Sequence, residues 1–240
     1  MIIIPALIIS FVPCIALYLW LRKLHGSDEV YRKLCSKAFV RGILSVFLII
    51  LLSALSHILV GFLGIRDRYP LLYEAFYTFI VLALVEEFVK FRVSRKVLRQ
   101  TDYPYSWVDV TAVMTITALG FGFIESIVYG IGASVPVVLI RGICVPHAAH
   151  GFIQGFFYGK GAQNRDPSQK WIGFAIAWFI HGLYDFSLSK EFAAINDNLV
   201  IVALILAIMD IVLVIILIRF VRKTRGQERY TEPLPVREGE

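Results

Sequence analysis

Seven runs of roughly 20 apolar residues divide this chain, each of the length that a hydrocarbon core of about 30 Å demands of a spanning helix. They lie at about 2–21, 39–64, 71–91, 107–131, 134–159, 171–188 and 197–219 of the 240 residues. Lipid offers no water to backbone N–H and C=O groups, so such runs must close their hydrogen bonds internally as helices. The expected fold is therefore all-α, a polytopic transmembrane bundle of about seven spans occupying residues 1–222 in the cell membrane. The first run lacks a basic leader and a small-residue cleavage site, and reads as a retained helix. The polar, Pro-bearing stretch 223–240 reads as a disordered tail.

Charge sets the expected orientation. Lys and Arg crowd the first connection (Arg22, Lys23, Arg32, Lys33, Lys37, Arg41) and the third (Lys90, Arg92, Arg95, Lys96, Arg99). The fifth connection and the tail are also basic, whereas the other side holds Arg66, Arg68 and Lys190. The positive-inside rule places these loops and the C-terminus in the cytoplasm and the N-terminus outside. The net charge of +6 is thus accounted for by bilayer topology. No Gly-rich phosphate loop or basic-aromatic stripe accompanies it, so lipid and not nucleic acid is the expected partner. Cys14, Cys35 and Cys144 are too scattered for a Cys-x-x-Cys metal site and read as neither a disulfide framework nor nucleophiles.

Ionisable residues inside the spans carry the functional information, because each charge at membrane depth costs at least about 2.5–3.5 kcal/mol and usually faces a cavity or another polar group. The single residues His57, Glu74 and Asp210 read as structural. Four consecutive spans differ, carrying polar groups at helical spacing. In EEFVK, Glu86 and Lys90 are four apart and can neutralise each other on one face, while Glu87 points about 100° away. In GFGFIES, Phe121 and Glu125 share a face, and Gly120 and Gly122 admit a neighbouring backbone. In VPHAAHGFIQGFFYGKG, Pro146 interrupts the helix beside His147, which continues the small-residue stripe of Gly151, Gly155 and Gly159; His150 falls nearer the flank. In HGLYD, His181 and Asp185 are four apart, so both can ligate one ion or the carboxylate can orient the imidazole. Straight spans leave Glu86 and Glu125 roughly 10 Å apart in height, which demands a displaced span or a helix broken around a cavity.

Glu, Glu, His, His and Asp from four helices suit a divalent metal of zinc type, or the holding and deprotonation of a water. The same spacing is compatible with an ion or proton pathway, or with structural polar packing.

Together these motifs resemble the PrsW family of intramembrane proteases, within the superfamily that includes the CAAX prenyl proteases. The resemblance rests on Glu86, Glu87 and Lys90 in EEFVK, Phe121 and Glu125 in FGFIE, Arg141 followed by His147 and the Gly stripe, and His181 and Asp185 in HGLYD. It runs from about residue 84 to 186. Asp109 also sits where the family has an aspartate, although Val110 stands in place of a glycine. The chain departs from the CAAX pattern with Lys90 for a later arginine, Glu125 for a histidine and Asp185 for an asparagine, changes that together make the site more acidic. The resemblance implies a multi-pass membrane peptidase that cuts membrane-anchored proteins such as anti-sigma factors. It implies that Glu86 or Glu87 activates water with Lys90 in support, and that Glu125, His147 and His181 hold a divalent metal, most simply zinc, or a water. Asp185 would orient His181 or complete the shell, and Arg141 would balance charge nearby. The CAAX relatives imply the alternative of glutamate catalysis without metal.

Overall fold

The computed structural model describes residues 3–61, 64–100, 105–130, 145–196 and 200–224, with the backbone alone at 3–10, 59, 65, 129, 130 and 200. Within these residues every regular element is helical. In chain order they are α1 (Ile3–Arg22), α2 (Glu29–Gly61), α3 (Ile65–Arg68), α4 (Pro70–Phe76), a π-helical stretch (Tyr77–Leu84) and α5 (Val85–Leu98). These are followed by α6 (Trp107–Gly130), α7 (Pro146–Asn164), α8 (Gln169–Ser187), α9 (Lys190–Ala193) and α10 (Val200–Thr224).

Helix α6 is the centre of the bundle. Its most apolar window is 72% buried, against 28% for the corresponding windows of α2 and α10. Small residues make that position possible. A Cβ on Gly155 would stand 2.7 Å from Thr111 Cα, and one on Gly159 would stand 2.6 Å from the Trp107 carbonyl oxygen. The stripe expected on α7 therefore lies against the α6 backbone, antiparallel to it, as small-residue interfaces allow. On the other side of α6, Gly120 faces the Phe39 carbonyl and Gly42 faces that of Thr117, joining α2. The buried hydroxyls of Thr111, Thr115 and Thr117 donate to carbonyls four residues back, so the central helix buries threonines without leaving them unpaired.

Three helical segments among the described residues are long and apolar enough to cross a membrane: Glu29–Ile58, Trp107–Val128 and Ile201–Thr224. A shorter apolar helix lies at Phe11–Arg22. Leu44, Phe47, Leu51 and Leu55 on α2, with Leu204, Ile205 and Ile208 on α10, are exposed, an outward apolar face that water would not tolerate and lipid does. The chain is a membrane protein on this ground. Helices α7 and α8 are less apolar because they carry the ionisable residues described below.

Several boundaries differ from the sequence expectation. Helix α2 starts ten residues before its apolar run: the Asp28 carboxylate accepts from the Tyr31 N–H, and Glu29 and Lys33 form an exposed i,i+4 pair at 3.7 Å. Pro146 opens α7, the position where its missing N–H is no loss, after Val145 in a left-handed conformation with φ of 43°. Residues 131–144, including Arg141 and Cys144, lie outside the described residues. Of the expected tail, Lys223 and Thr224 complete α10, and 225–240 lie outside the described residues.

Candidate active site

Pro70–Leu98 forms one continuous rod, since Tyr77 and Val85 at the junctions keep right-handed helical backbone. Its π-helical middle shifts the phase of the helix directly ahead of Glu86 and Glu87, in the manner of π segments at functional sites. That segment is clamped from α8. The Trp178 indole N–H donates to the Phe79 carbonyl at 2.6 Å, and the Phe79 ring fills the place of a Gly182 side chain, 2.5 Å from where a Cβ would stand. Gly182 follows His181, so this clamp sets His181 against the glutamate pair. The rod continues seven residues past the expected span end, which puts Glu86 twelve residues from its terminus at Leu98. Glu86 and Glu125 do meet, each offering an oxygen within 4.8 Å of the other and of a His147 nitrogen.

Glu87 lies at the heart of the cluster and is 1% exposed. Its Oε1 accepts from Lys90 Nζ at 2.5 Å and faces His181 Nδ1 at 2.8 Å, while its Oε2 accepts from the Gln154 amide at 2.6 Å. Lys90 therefore pairs with Glu87, three residues back, and not with Glu86 as the i,i+4 spacing suggests. Two further partners hold the ammonium in place: His147 Nδ1 at 3.0 Å and the face of Phe121, 4.7 Å from its centroid. Because Nδ1 of His147 accepts from Lys90, its Nε2–H is free to donate to Glu125 Oε2, the partner it has. Phe121, one turn before Glu125, thus presents its ring to the lysine and its edge to His147.

Glu86 is buried differently. Its Oε2 has no hydrogen-bond partner among the described residues, and His181 Nε2 is 3.7 Å away, beyond hydrogen-bond range. His181 Nε2 instead meets Asp185 Oδ2 at 3.2 Å, the i,i+4 contact expected from HGLYD. The structure thus gathers Glu86, Glu87, Lys90, Glu125, His147, His181 and Asp185 in one place.

Two residues belong with them that spacing set aside. His150 turns inward, with Nδ1 3.6 Å from Glu87 Oε1, and its Nε2 is 3.7 Å from Asp210 on α10. Gln154 is a third addition, seven residues after His147 and so on the same face of α7, a signal that the sequence did contain. Asp109, by contrast, stays apart. Its Oδ2 accepts from the N–H and hydroxyl of Ser106 at the start of α6, and its Oδ1 meets His25 Nε2 at 2.5 Å. His57 bonds the Tyr73 hydroxyl at 3.3 Å.

The donor set fits a divalent metal of zinc type. Glu87, His147, His150 and His181 each offer a ligand atom, all within 4.8 Å of one another, and Glu86, Glu125 and His147 do the same. Imidazole nitrogen and carboxylate oxygen are the ligands zinc takes. Against the carboxylates of Glu86, Glu87, Glu125 and Asp185, Lys90 supplies one positive charge among the described residues, and the orphaned Glu86 oxygen adds to the demand for a cation. Beside this cluster a cavity of about 20 Å³, lined by Phe11, Cys14, Gly122, Glu125, Val145 and His147 among others, has room for one water.

Comparison with known proteins agrees with this geometry. Residues 31–217 match the model of the PrsW family of intramembrane metalloproteases. A protein named Protease PrsW from Geobacillus kaustophilus is 32% identical over 121 residues, 47% of this chain and 52% of that one. Its namesake from Oceanobacillus iheyensis is 30% identical over 114 residues, 46% and 53% of the two chains. A third, from Clostridioides difficile, is 24% identical over 195 residues, covering 77% and 79%. The chain thus spans about half the length of the first two relatives. No solved structure matches it.

Proposed function

The chain belongs to the PrsW family of intramembrane metalloproteases, and from that premise we propose that it is a multi-pass endopeptidase of the cell membrane. Its substrates are membrane-anchored proteins of the anti-sigma factor kind, cut by water that a buried glutamate activates. The seven-span, N-outside topology belongs to the same proposal. The observation that carries it is Glu86 Oε2: buried, without a hydrogen-bond partner among the described residues, on a residue grouped with Glu125 and His147, which line a water-sized cavity. A water there is held by two groups whose donor atoms lie within 4.8 Å of a Glu86 oxygen.

In this reading Glu86 takes a proton from that water as the oxygen attacks the scissile carbonyl, and returns it to the departing amine. Glu125, oriented by the Nε2–H of His147, fixes the water. Glu87 anchors the site, tied to Lys90, Gln154 and His181, and Asp185 orients His181. Glu87, His147, His150 and His181 would hold a divalent cation, with zinc the simplest choice; Glu125 joins His147 in the second set. Such a cation supplies Lewis acidity to the carbonyl and to water when bound.

Lys90 favours a second reading. Its ammonium already contacts Glu87 Oε1 and His147 Nδ1, two of the atoms that a cation would use. A metal-independent glutamate peptidase of CAAX type, with Lys90 as the resident cation, needs no rearrangement there. Elemental analysis of the purified protein, paired with cleavage assays before and after dialysis against a chelator, separates the two. The metalloprotease retains near-stoichiometric metal and loses activity on its removal; the glutamate peptidase does neither.

A further inference from the structure

Asp210 is the one ionisable residue of α10 between Val200 and Ile218, and its side chain is completely buried. Neither of its oxygens has a hydrogen-bond partner among the described residues, and neither ring nitrogen of His150 has one. Nε2 of His150 stands 3.7 Å from Oδ1 of Asp210, while its Nδ1 stands 3.6 Å from Glu87 Oε1. Burying a carboxylate without a donor is costly, and a helical stretch, 200–218, otherwise built of Ile, Leu, Val, Ala and Met gains nothing from an aspartate at this position unless the pair has a use.

We propose that Asp210 is a positioning residue of the site: its carboxylate takes the single N–H of neutral His150 at Nε2 and so turns the Nδ1 lone pair toward Glu87. The inference rests on the reading of Glu87, His147, His150 and His181 as the group that holds a cation. A neutral imidazole between two carboxylates can donate to only one. Glu87 is already served by Lys90, His181 and Gln154, whereas Asp210 has no other donor among the described residues, so the N–H is worth most at Asp210. The Nδ1 lone pair then stands 3.6 Å from Glu87 Oε1, on the side of the donor set. A carboxylate that fixes a ligand imidazole from behind is the usual support of a histidine–metal bond. Both gaps are slightly longer than hydrogen bonds, and closure takes less than 1 Å of side-chain movement.

The test uses full-length protein with 15N-labelled histidine in lipid nanodiscs, with the His150 ring signals identified by their loss in His150→Gln. Wild type should show His150 protonated at Nε2. Asp210→Asn should abolish that preference and weaken zinc binding about 10–100-fold, Asp210→Glu should retain most of both, and combining Asp210→Asn with His150→Gln should weaken zinc binding no more than His150→Gln alone. Protonation at Nδ1 in wild type, or an Asp210→Asn protein with unchanged tautomer and zinc affinity, overturns the proposal. Should wild type bind no zinc yet show the Nε2–H form that Asp210→Asn loses, the metal reading fails and the positioning role stands. Should Asp210→Asn not fold, the tautomer of His150 in wild type is decisive by itself.

Discussion

Lys90 donates to Glu87 at 2.5 Å and leaves Glu86, four residues back on its own helix, without a hydrogen bond to Oε2 among the described residues. The two adjacent glutamates are thereby divided into an anchored carboxylate and a free one. A catalytic base must be free to exchange a proton, and a structural anion must be satisfied; the pair separates those two requirements.

Removing the ammonium should expose this division. Lys90→Met leaves Glu87 buried with His181 and Gln154 as its remaining partners, and breaking a buried ion pair in this way costs about 3–5 kcal/mol. Thermal unfolding in detergent should shift down accordingly. Added zinc should recover part of the loss if a cation can take the place of the ammonium, and recovery equal to that of wild type in zinc would argue against that substitution. Lys90→Arg should not restore function, because a planar guanidinium does not fit between Glu87, His147 and the Phe121 ring.

The glycine stripe makes a prediction about packing. At Gly155 a new Cβ meets Thr111 Cα at 2.7 Å, backbone that cannot rotate away, whereas nothing among the described residues lies within 4 Å of a Cβ on Gly61. Gly155→Ala should destabilise the fold by about 1–3 kcal/mol and reduce cleavage by displacing His147, while Gly61→Ala should leave both unchanged. Denaturant or thermal midpoints of the two variants, measured side by side, decide this.

Asp109 should prove structural despite its place in the motif series. It caps α6 through Ser106 and holds His25 of the α1–α2 connection. Asp109→Ala should lower stability by about 1 kcal/mol or more, as loss of an N-terminal cap does, and speed proteolysis at residues 23–28. At a temperature where the variant is fully folded, its turnover should match wild type; a large fall in turnover without a fall in stability would move Asp109 into the chemistry.

Much of this arrangement was legible in the sequence, for reasons that differ by residue. HGLYD gave a correct local contact because His181 and Asp185 share a helix and need no third partner to meet. The Gly151–Gly155–Gly159 stripe was legible because only a close neighbour explains three glycines on one face. EEFVK was misread in detail: i,i+3 and i,i+4 pairs are equally available to Lys90, and the choice is made by Gln154 and His181, which draw Glu87 inward from elsewhere in the chain. Asp210 is not legible as part of the site, because a lone carboxylate in an apolar span has no local signature and its partner, His150, lies sixty residues earlier. The start of a helix at Pro146 is hidden in a continuous apolar run, because proline at the first position of a helix and proline within one differ only in what precedes them.

The central claim is that Glu86 activates the water that cleaves a membrane-anchored substrate. Its most direct test is single-turnover cleavage of such a substrate in proteoliposomes by wild type and by Glu86→Gln, which keeps the shape and removes the base. The account predicts cleavage by wild type and a rate at least about 10²-fold lower for Glu86→Gln with unchanged thermal stability, the scale expected for loss of a general base. Cleavage by Glu86→Gln at the wild-type rate would contradict it.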